Sequence, residues 1–379
     1  MKNNNTPPAG TSTWTPAHLV RAAVVEMRAY TPILPYEVIS AQLGCAPEDI
    51  LKLDANENLY GAVPEARAAL AALPYPHIYP DPESRALRSM LAQHTGVPAA
   101  QLVAGAGADE LIDLTMRMLL DAGDVLLDCP PTFGMYANCA HIQGARVVAV
   151  PRRADFALDM PALRAAVAQH NPKLLCLGSP NNPDGSQLPD ADLLQLLQLP
   201  LVLLLDEAYI DFAGAGASRI TWPLRHANLV VLRTFSKSAG LAGLRAGYGA
   251  FPAALVEHIW KIKQPYNLSV AADAAARAAL AAMPAVQAHV DAIIAERTRL
   301  AGLLAQVPCL QPIPSAANFV LCRVTGGRSA QQLQAQLAQQ RILVRYFDKP
   351  ALRDCVRISV GQPAHSDRLL QALHALPAA

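Results

Sequence analysis

A lysine, a serine and an arginine set the first chemical constraint. Ser236 and Lys237 follow an apolar run over residues 229–233, and Arg245 comes eight positions after the lysine. A strand over 229–233 in an open α/β sheet would deliver Ser236 and Lys237 at its carboxyl end, the edge where ligands sit. Gly240, Gly243 and Gly247 let backbone pass close to a ligand or through a strained turn. An amine beside a hydroxyl and a guanidinium suits a Schiff base with a carbonyl compound that also carries an anion. Alone, the stretch also reads as a solvated Lys–Arg loop.

Three further segments narrow the chemistry. The apolar run 201–205 ends in Asp206-Glu-Ala-Tyr209, which places a carboxylate at the same sheet edge and a phenol three residues on. The run 174–177 leads into Gly178-Ser-Pro-Asn-Asn-Pro-Asp-Gly185, a turn by its prolines and glycines, with Asn182 as an uncharged donor. Ala104-Gly-Ala-Gly-Ala-Asp-Glu110 enters a helical pattern over 111–120 and leaves backbone N–H groups free to hold a phosphate. A dinucleotide fingerprint would need a third glycine where Glu110 stands, so NAD binding is rejected. The set matches what pyridoxal phosphate requires: a Schiff-base lysine, a carboxylate at the pyridine nitrogen, donors to the ring oxygen and a phosphate cradle. Taken singly, Asp206 also reads as a helix cap and Asn182 as a loop residue.

The elements that must position these residues are legible as patterns. The wholly apolar runs at 174–177 and 201–205, with the shorter apolar stretches inside 125–128, 146–150 and 229–233, predict short buried strands of a parallel sheet. Helical stretches at 64–73, 84–95, 158–169 and 190–196 lie among them, which predicts βαβ units in a doubly wound sheet. The Ala-rich stretch 271–305 predicts one long linking helix. Strands at 319–323, 343–346 and 355–360 and a helix at 329–340 suit a small α+β unit. The expected divisions are a disordered tail over 1–16, an N-terminal arm over 17–59, a large cofactor-binding domain over 60–280 and a small domain over 281–379. Within the arm, a helix is expected near 17–27, and prolines should extend 31–36.

Composition excludes other classes. The chain has 379 residues, 52% of them apolar, and 31 basic against 30 acidic side chains, so no general field favours nucleic acid or an anionic membrane. Seven scattered cysteines without a C-x-x-C pair point to a reducing compartment, and the polar start lacks a signal-peptide core, so a cytoplasmic location is expected. The ten histidines lack metal-ligand spacing, and no metal is expected.

In order and content, these segments resemble the fold-type-I aminotransferases, and among them the histidinol-phosphate aminotransferase family. The resemblance also takes in Asp54-Ala-Asn-Glu-Asn58 and Tyr79-Pro-Asp81 and runs from about residue 30 to 365. It implies a large domain with a mostly parallel sheet flanked by helices and a small α+β domain. Pyridoxal 5'-phosphate is then the cofactor, with Lys237 as its Schiff-base partner and proton shuttle. Asp206 pairs with the ring nitrogen, and Asn182 and Tyr209 bond the ring oxygen. Backbone at Gly107, Ala108 and Asp109, with Ser236 and Arg245, holds the phosphate. Phe133 stacks on the ring, where the family usually has tyrosine. Tyr79 reaches the neighbouring subunit's cofactor, which implies a homodimer with shared sites.

For substrate, the resemblance assigns Arg357 to the carboxylate of glutamate, and Arg345 with Arg357 to the phosphate of histidinol phosphate, with Tyr36 and Asn58 lining the same pocket. Arg345 beside Asp348 also reads as surface charge. Ser179 and Asp184 stand where the family usually has asparagine and threonine, and Asp184 is expected to face solvent so as not to weaken anion binding. The implied reaction is L-histidinol phosphate + 2-oxoglutarate = 3-(imidazol-4-yl)-2-oxopropyl phosphate + L-glutamate, in histidine biosynthesis. An aromatic-amino-acid transaminase and a decarboxylase of a phosphorylated amino acid are alternatives on the same scaffold. A non-catalytic ligand-binding or regulatory domain would need a broken cofactor set or an attached DNA-binding segment.

Overall fold

The computed structural model describes residues 16–27, 29 and 33–376. Among these described residues, twelve strands form two sheets. In chain order they are β1 (Leu51–Leu53), β2 (Leu102–Gly105), β3 (Val125–Asp128), β4 (Arg146–Ala149), β5 (Leu174–Gly178), β6 (Val202–Asp206), β7 (Leu229–Thr234), β8 (Gly247–Ala250), β9 (Leu310–Pro312), β10 (Phe319–Val324), β11 (Ile342–Tyr346) and β12 (Cys355–Ser359).

The larger sheet has the order β2-β8-β7-β6-β5-β3-β4 and is parallel except for β8, which runs against both its neighbours. Its central strands are apolar along most of their length because both faces are covered. Leu175, Leu177, Leu203, Leu205, Leu229 and Val231 enter one core, and Leu174, Cys176, Leu204, Val230 and Leu232 enter the other. The pleat sends alternate residues to opposite sides, so a run without polar alternation is what a two-sided core demands. In-register pairing of Gly178 with Asp206 and of Asp206 with Leu232 aligns the carboxyl ends of β5, β6 and β7 along one rim. The smaller sheet, β1-β11-β12-β10-β9, encloses a separate core with Phe319, Leu333 and Leu369. Residues near the start of the chain enter it, because β1 pairs in parallel with β11.

Several expectations need correction. The stretch 271–305 is two helices, Val270–Ala281 and Met283–Leu304, bent by 81° at Ala282. Pro284 sits in the first turn of the second helix, where a missing N–H costs nothing, so it begins a new helix. β4 is an edge strand and not buried as expected, with both its ends exposed. Near the chain start, a 3-10 helix at Pro16–Leu19 and a short helix at Ala22–Val25 replace the single helix expected over 17–27, because Arg21 between them has extended ψ of 135°. Tyr36 does not end an extended segment but opens the helix Tyr36–Leu43. The tail expectation falls on residues 1–15, outside the described residues, apart from Pro16. Among the described residues no single helix is long and apolar enough to cross a membrane.

Candidate active site

The rim residues face two adjoining cavities, of about 810 and 190 Å3, which share Ala55, Phe133, Asn182, Tyr209 and Lys237. β7 ends at Thr234, and the chain turns so that Lys237, half-buried, enters both. The turn is buttressed from another part of the chain. Asn58 Nδ2 donates to the Ser238 carbonyl at 2.9 Å. A Cβ on Gly240 would stand 2.5 Å from the Gly61 carbonyl oxygen, and φ there is +68°, so only glycine fits. The Lys237 amine lies 5.6 Å from the centre of the Tyr209 ring.

The smaller cavity has an acid end and an anion end. Asp206 closes β6, is 6% exposed and lines this cavity. Its Oδ2 accepts from the Tyr136 hydroxyl at 2.8 Å and its Oδ1 from the Ala208 N–H at 3.0 Å. Burial pushes the carboxyl up to about 6, against the opposing pull of those two donors and of Lys237. Tyr136 is buried outright, and desolvation, then the Asp206 charge, drives its own pKa upward. At the other end, Gly107, with φ of +83°, starts the helix Ala108–Leu119. The first amides of that helix have no intrahelical partner. Arg245 reaches across to this turn, donating to Asp109 at 2.9 Å and to Ser236 Oγ at 3.3 Å. A Cβ on Gly107 would stand 2.6 Å from the Arg245 guanidinium. The arrangement is a cradle for an anion, made of a helix N-terminus, a hydroxyl and a guanidinium.

Between the two ends, Asn182 and Tyr209 have one polarity left to offer. Arg357 Nη1 donates to Asn182 Oδ1 at 2.5 Å, which leaves the Asn182 amide hydrogens for another acceptor. The Tyr209 hydroxyl oxygen accepts from Asn56 Nδ2 at 3.1 Å. Phe133 borders both cavities and packs edge-on to Tyr136. These residues fit pyridoxal phosphate: a phosphate-sized cradle, a carboxylate with both oxygens held, donors between them, an aromatic wall and an amine.

The larger cavity is cationic. Lys237, Arg345, Lys349 and Arg357 line it, against one acid, Glu26. Arg357, in β12, is 5% exposed; beside Asn182, it donates to the Asp54 carbonyl at 2.7 Å. The guanidinium of Arg345 stands 5.7 Å from the Phe347 ring centre, while Asp348 pairs with Arg353 instead.

Three residues lie elsewhere than the sequence suggested. Neither Tyr36 nor Asn58 lines either cavity. Tyr36 lies under the Lys52 ammonium, 5.7 Å from its ring centre, and Asn58 holds the Lys237 turn. Asp184 does not face solvent. It is wholly buried, accepting from the Asn181 side chain and from the Ser186 N–H at 2.9 Å. A carboxylate two residues before a free N–H closes a local turn, which satisfies its charge inside the loop and away from the cradle. Tyr79 is 79% exposed and stacks on Tyr266 at 4.7 Å. Tyr136 and Asn56, which touch Asp206 and Tyr209, were not singled out by sequence; the only signal for Tyr136 was its place three residues after Phe133.

Comparison with known proteins gives the same picture. The sequence model of the aminotransferase class I and II family matches residues 48–373. A chloroplastic histidinol-phosphate aminotransferase of Nicotiana plumbaginifolia is 51% identical over 355 residues, 93% of this chain and 86% of that protein. The histidinol-phosphate aminotransferase of Roseiflexus castenholzii is 49% identical over 94% of this chain and 97% of its own. The crystal structure of the Sinorhizobium meliloti histidinol-phosphate aminotransferase, in complex with pyridoxal-5'-phosphate, superposes with a TM-score of 0.85 at 30% identity, covering 97% of this chain and 99% of that one. The chain belongs to the class I and II aminotransferases, in their histidinol-phosphate aminotransferase family.

Proposed function

We propose that the chain transfers an amino group between L-histidinol phosphate and 2-oxoglutarate, giving 3-(imidazol-4-yl)-2-oxopropyl phosphate and L-glutamate, with pyridoxal 5'-phosphate as cofactor and histidine biosynthesis as its setting. The observation that carries this is the meeting of Lys237, the Asp206 carboxylate and the Ser236–Arg245 cradle in one cavity beside a cationic cleft, on a chain 51% identical to a histidinol-phosphate aminotransferase.

The residues take these roles. Gly107, Ala108 and Asp109 backbone, with Ser236 and Arg245, hold the phosphate. Asp206, kept in place by Tyr136 and the Ala208 N–H, would pair with the ring nitrogen. Asn182 and Tyr209 would donate to the ring oxygen, and Phe133, which borders both cavities, would cover the ring. The chemistry the cofactor supplies when bound is an electron sink for charge left on a substrate carbon. Lys237 would be its covalent anchor, and the Lys237 Nζ would take the proton from the substrate Cα. Arg357 binds the carboxylate of glutamate, and Arg345 with Arg357 binds the substrate phosphate, a planar fork suited to both anions.

The same reading takes the two sheets as two units, with residues 60–280 and 281–379 as large and small domains and 17–59 as the arm. It also makes the protein a homodimer. Tyr75, Ile78, Tyr79 and Tyr266 are large side chains left exposed close together in sequence or space, a patch that marks an interaction surface, and Tyr79 on it would reach the partner's phosphate. A cytoplasmic location is in keeping with seven free cysteines, and fractionation of the cells checks it.

A donor panel against 2-oxoglutarate tests the substrate. Histidinol phosphate is expected to give the highest kcat/KM. Phenylalanine in first place would move the assignment to an aromatic transaminase.

A further inference from the structure

Asn56 is 1% exposed, with φ of +56°, a region asparagine tolerates better than most residues. All its polar groups are engaged, and the chain they form has one consistent polarity. The Asn56 backbone N–H donates to Ser359 Oγ at 2.8 Å. A backbone amide can only donate, so the serine oxygen accepts here and its own proton goes elsewhere. It goes to Asn56 Oδ1, at 3.1 Å. This orients the side-chain amide, with Oδ1 toward Ser359 and Nδ2 toward Tyr209. Nδ2 then donates to Tyr209 Oη at 3.1 Å. The phenol oxygen is therefore an acceptor on that side, and its proton turns toward the cavities that Tyr209 borders. Asn318 Nδ2, donating to the Asn56 carbonyl at 3.0 Å, holds the backbone of the junction.

We propose that Asn56 is a positioning residue that makes Tyr209 an obligate donor to the cofactor's ring oxygen, with Ser359 on β12 setting its orientation. The inference rests on the reading that pyridoxal phosphate binds beside Lys237 with Tyr209 at that oxygen. A hydroxyl that donates to the ring oxygen draws charge from it and lowers the proton affinity of the conjugated ring system. Turning the donor round raises that affinity. The smaller sheet thereby sets the electronics of a group bound at the rim of the larger one, because Ser359 belongs to the first and Tyr209 follows β6 of the second.

Asn56→Asp is nearly isosteric and keeps the tolerance for positive φ, but it replaces the donor with an acceptor, so Tyr209 turns its proton away from the cavity. The readout is the pH midpoint of the visible absorbance change of the holoenzyme without substrate, in a cycle with Tyr209→Phe. With Tyr209 present, Asn56→Asp is expected to raise the midpoint by about one pH unit, the scale of one hydrogen bond. In the Tyr209→Phe background the shift should be clearly smaller, since only the through-space effect of the new carboxylate remains. Equal shifts in both backgrounds, or no shift in either, overturn the inference. Should Asn56→Asp not fold, Ser359→Ala frees the amide to turn over, and the same cycle with Tyr209→Phe decides. A wild-type protein that takes up pyridoxal phosphate without any visible Lys237-dependent band overturns the cofactor reading itself, an outcome distinct from the others.

Discussion

Asp206 carries opposed demands. As a buried carboxyl it is held up to about 6 from an ordinary value of 3.8, yet in the proposed role opposite a ring nitrogen it would have to be ionised. Between those two values the folded chain keeps a proton at Asp206 that the unfolded chain has released. Stability from this group is therefore lost as pH rises through that window in the cofactor-free protein. Asp206→Asn removes the term. Its cofactor-free form is expected to melt above wild type at pH 7, with the gap closing toward pH 4, while turnover falls about a hundredfold or more. Thermal melts across pH and a steady-state assay check both halves. A variant less stable than wild type at pH 7 would contradict the burial argument. Asp184 shows where reading a residue by its charge alone fails. Solvent was the expected remedy for its carboxylate, but Asn181 and the Ser186 N–H satisfy it inside the loop.

Elements deliver these residues, and the delivery depends on close backbone contacts. β7 and β8 pair at Thr234 and Gly247, and a Cβ at Gly247 would stand 2.6 Å from the Ala108 nitrogen and from the Gly107 carbonyl carbon. Backbone cannot swing aside as a side chain can. Gly247→Ala is thus expected to push the start of the helix Ala108–Leu119 off the phosphate position and weaken pyridoxal phosphate binding by about tenfold or more. Cofactor titration of the apoprotein checks this, and unchanged affinity would place the phosphate elsewhere.

The strands that form this rim were legible in sequence because a two-sided core leaves an unbroken apolar run, as at β5, β6 and β7. The helix break at Ala282 was not. Alanine favours helix on both sides, and a proline in a first turn looks the same as one inside a continuous pattern until the bend is seen. The Asn56 junction was equally hidden, since its partners Tyr209 and Ser359 stand 153 and 303 residues away. Lys237, Asp206, Asn182 and Arg245 could be named early because each sits at a strand end or in a Gly-rich turn, positions that short motifs describe well. Asn58, in the same short motif as Asn56, was expected in the substrate pocket, but the structure uses it to hold the backbone after Lys237.

At the scale of the whole molecule, the proposed dimer makes a sharp prediction about shared sites. If Tyr79 reaches the partner's cofactor, a hybrid of one Lys237→Ala subunit and one Tyr79→Ala subunit contains one site with both residues intact. Each homodimer has none. Mixing or co-expressing equal amounts of the two variants is expected to restore activity beyond the sum of the separate proteins, toward about a quarter of wild type, because random pairing makes half of the dimers hybrids and each hybrid has one of its two sites intact. Simple additivity would show that Tyr79 serves its own subunit or none. The exposed Tyr79–Tyr266 stack is the surface on which this turns.

The most direct measurement for the whole account is borohydride reduction of the pyridoxal-phosphate-loaded protein, followed by digestion and mass spectrometry. The label is predicted on the peptide containing Lys237, with loss of both colour change and turnover, and Lys237→Ala should take up none. A label on a different lysine, or full turnover by Lys237→Ala, would contradict the account.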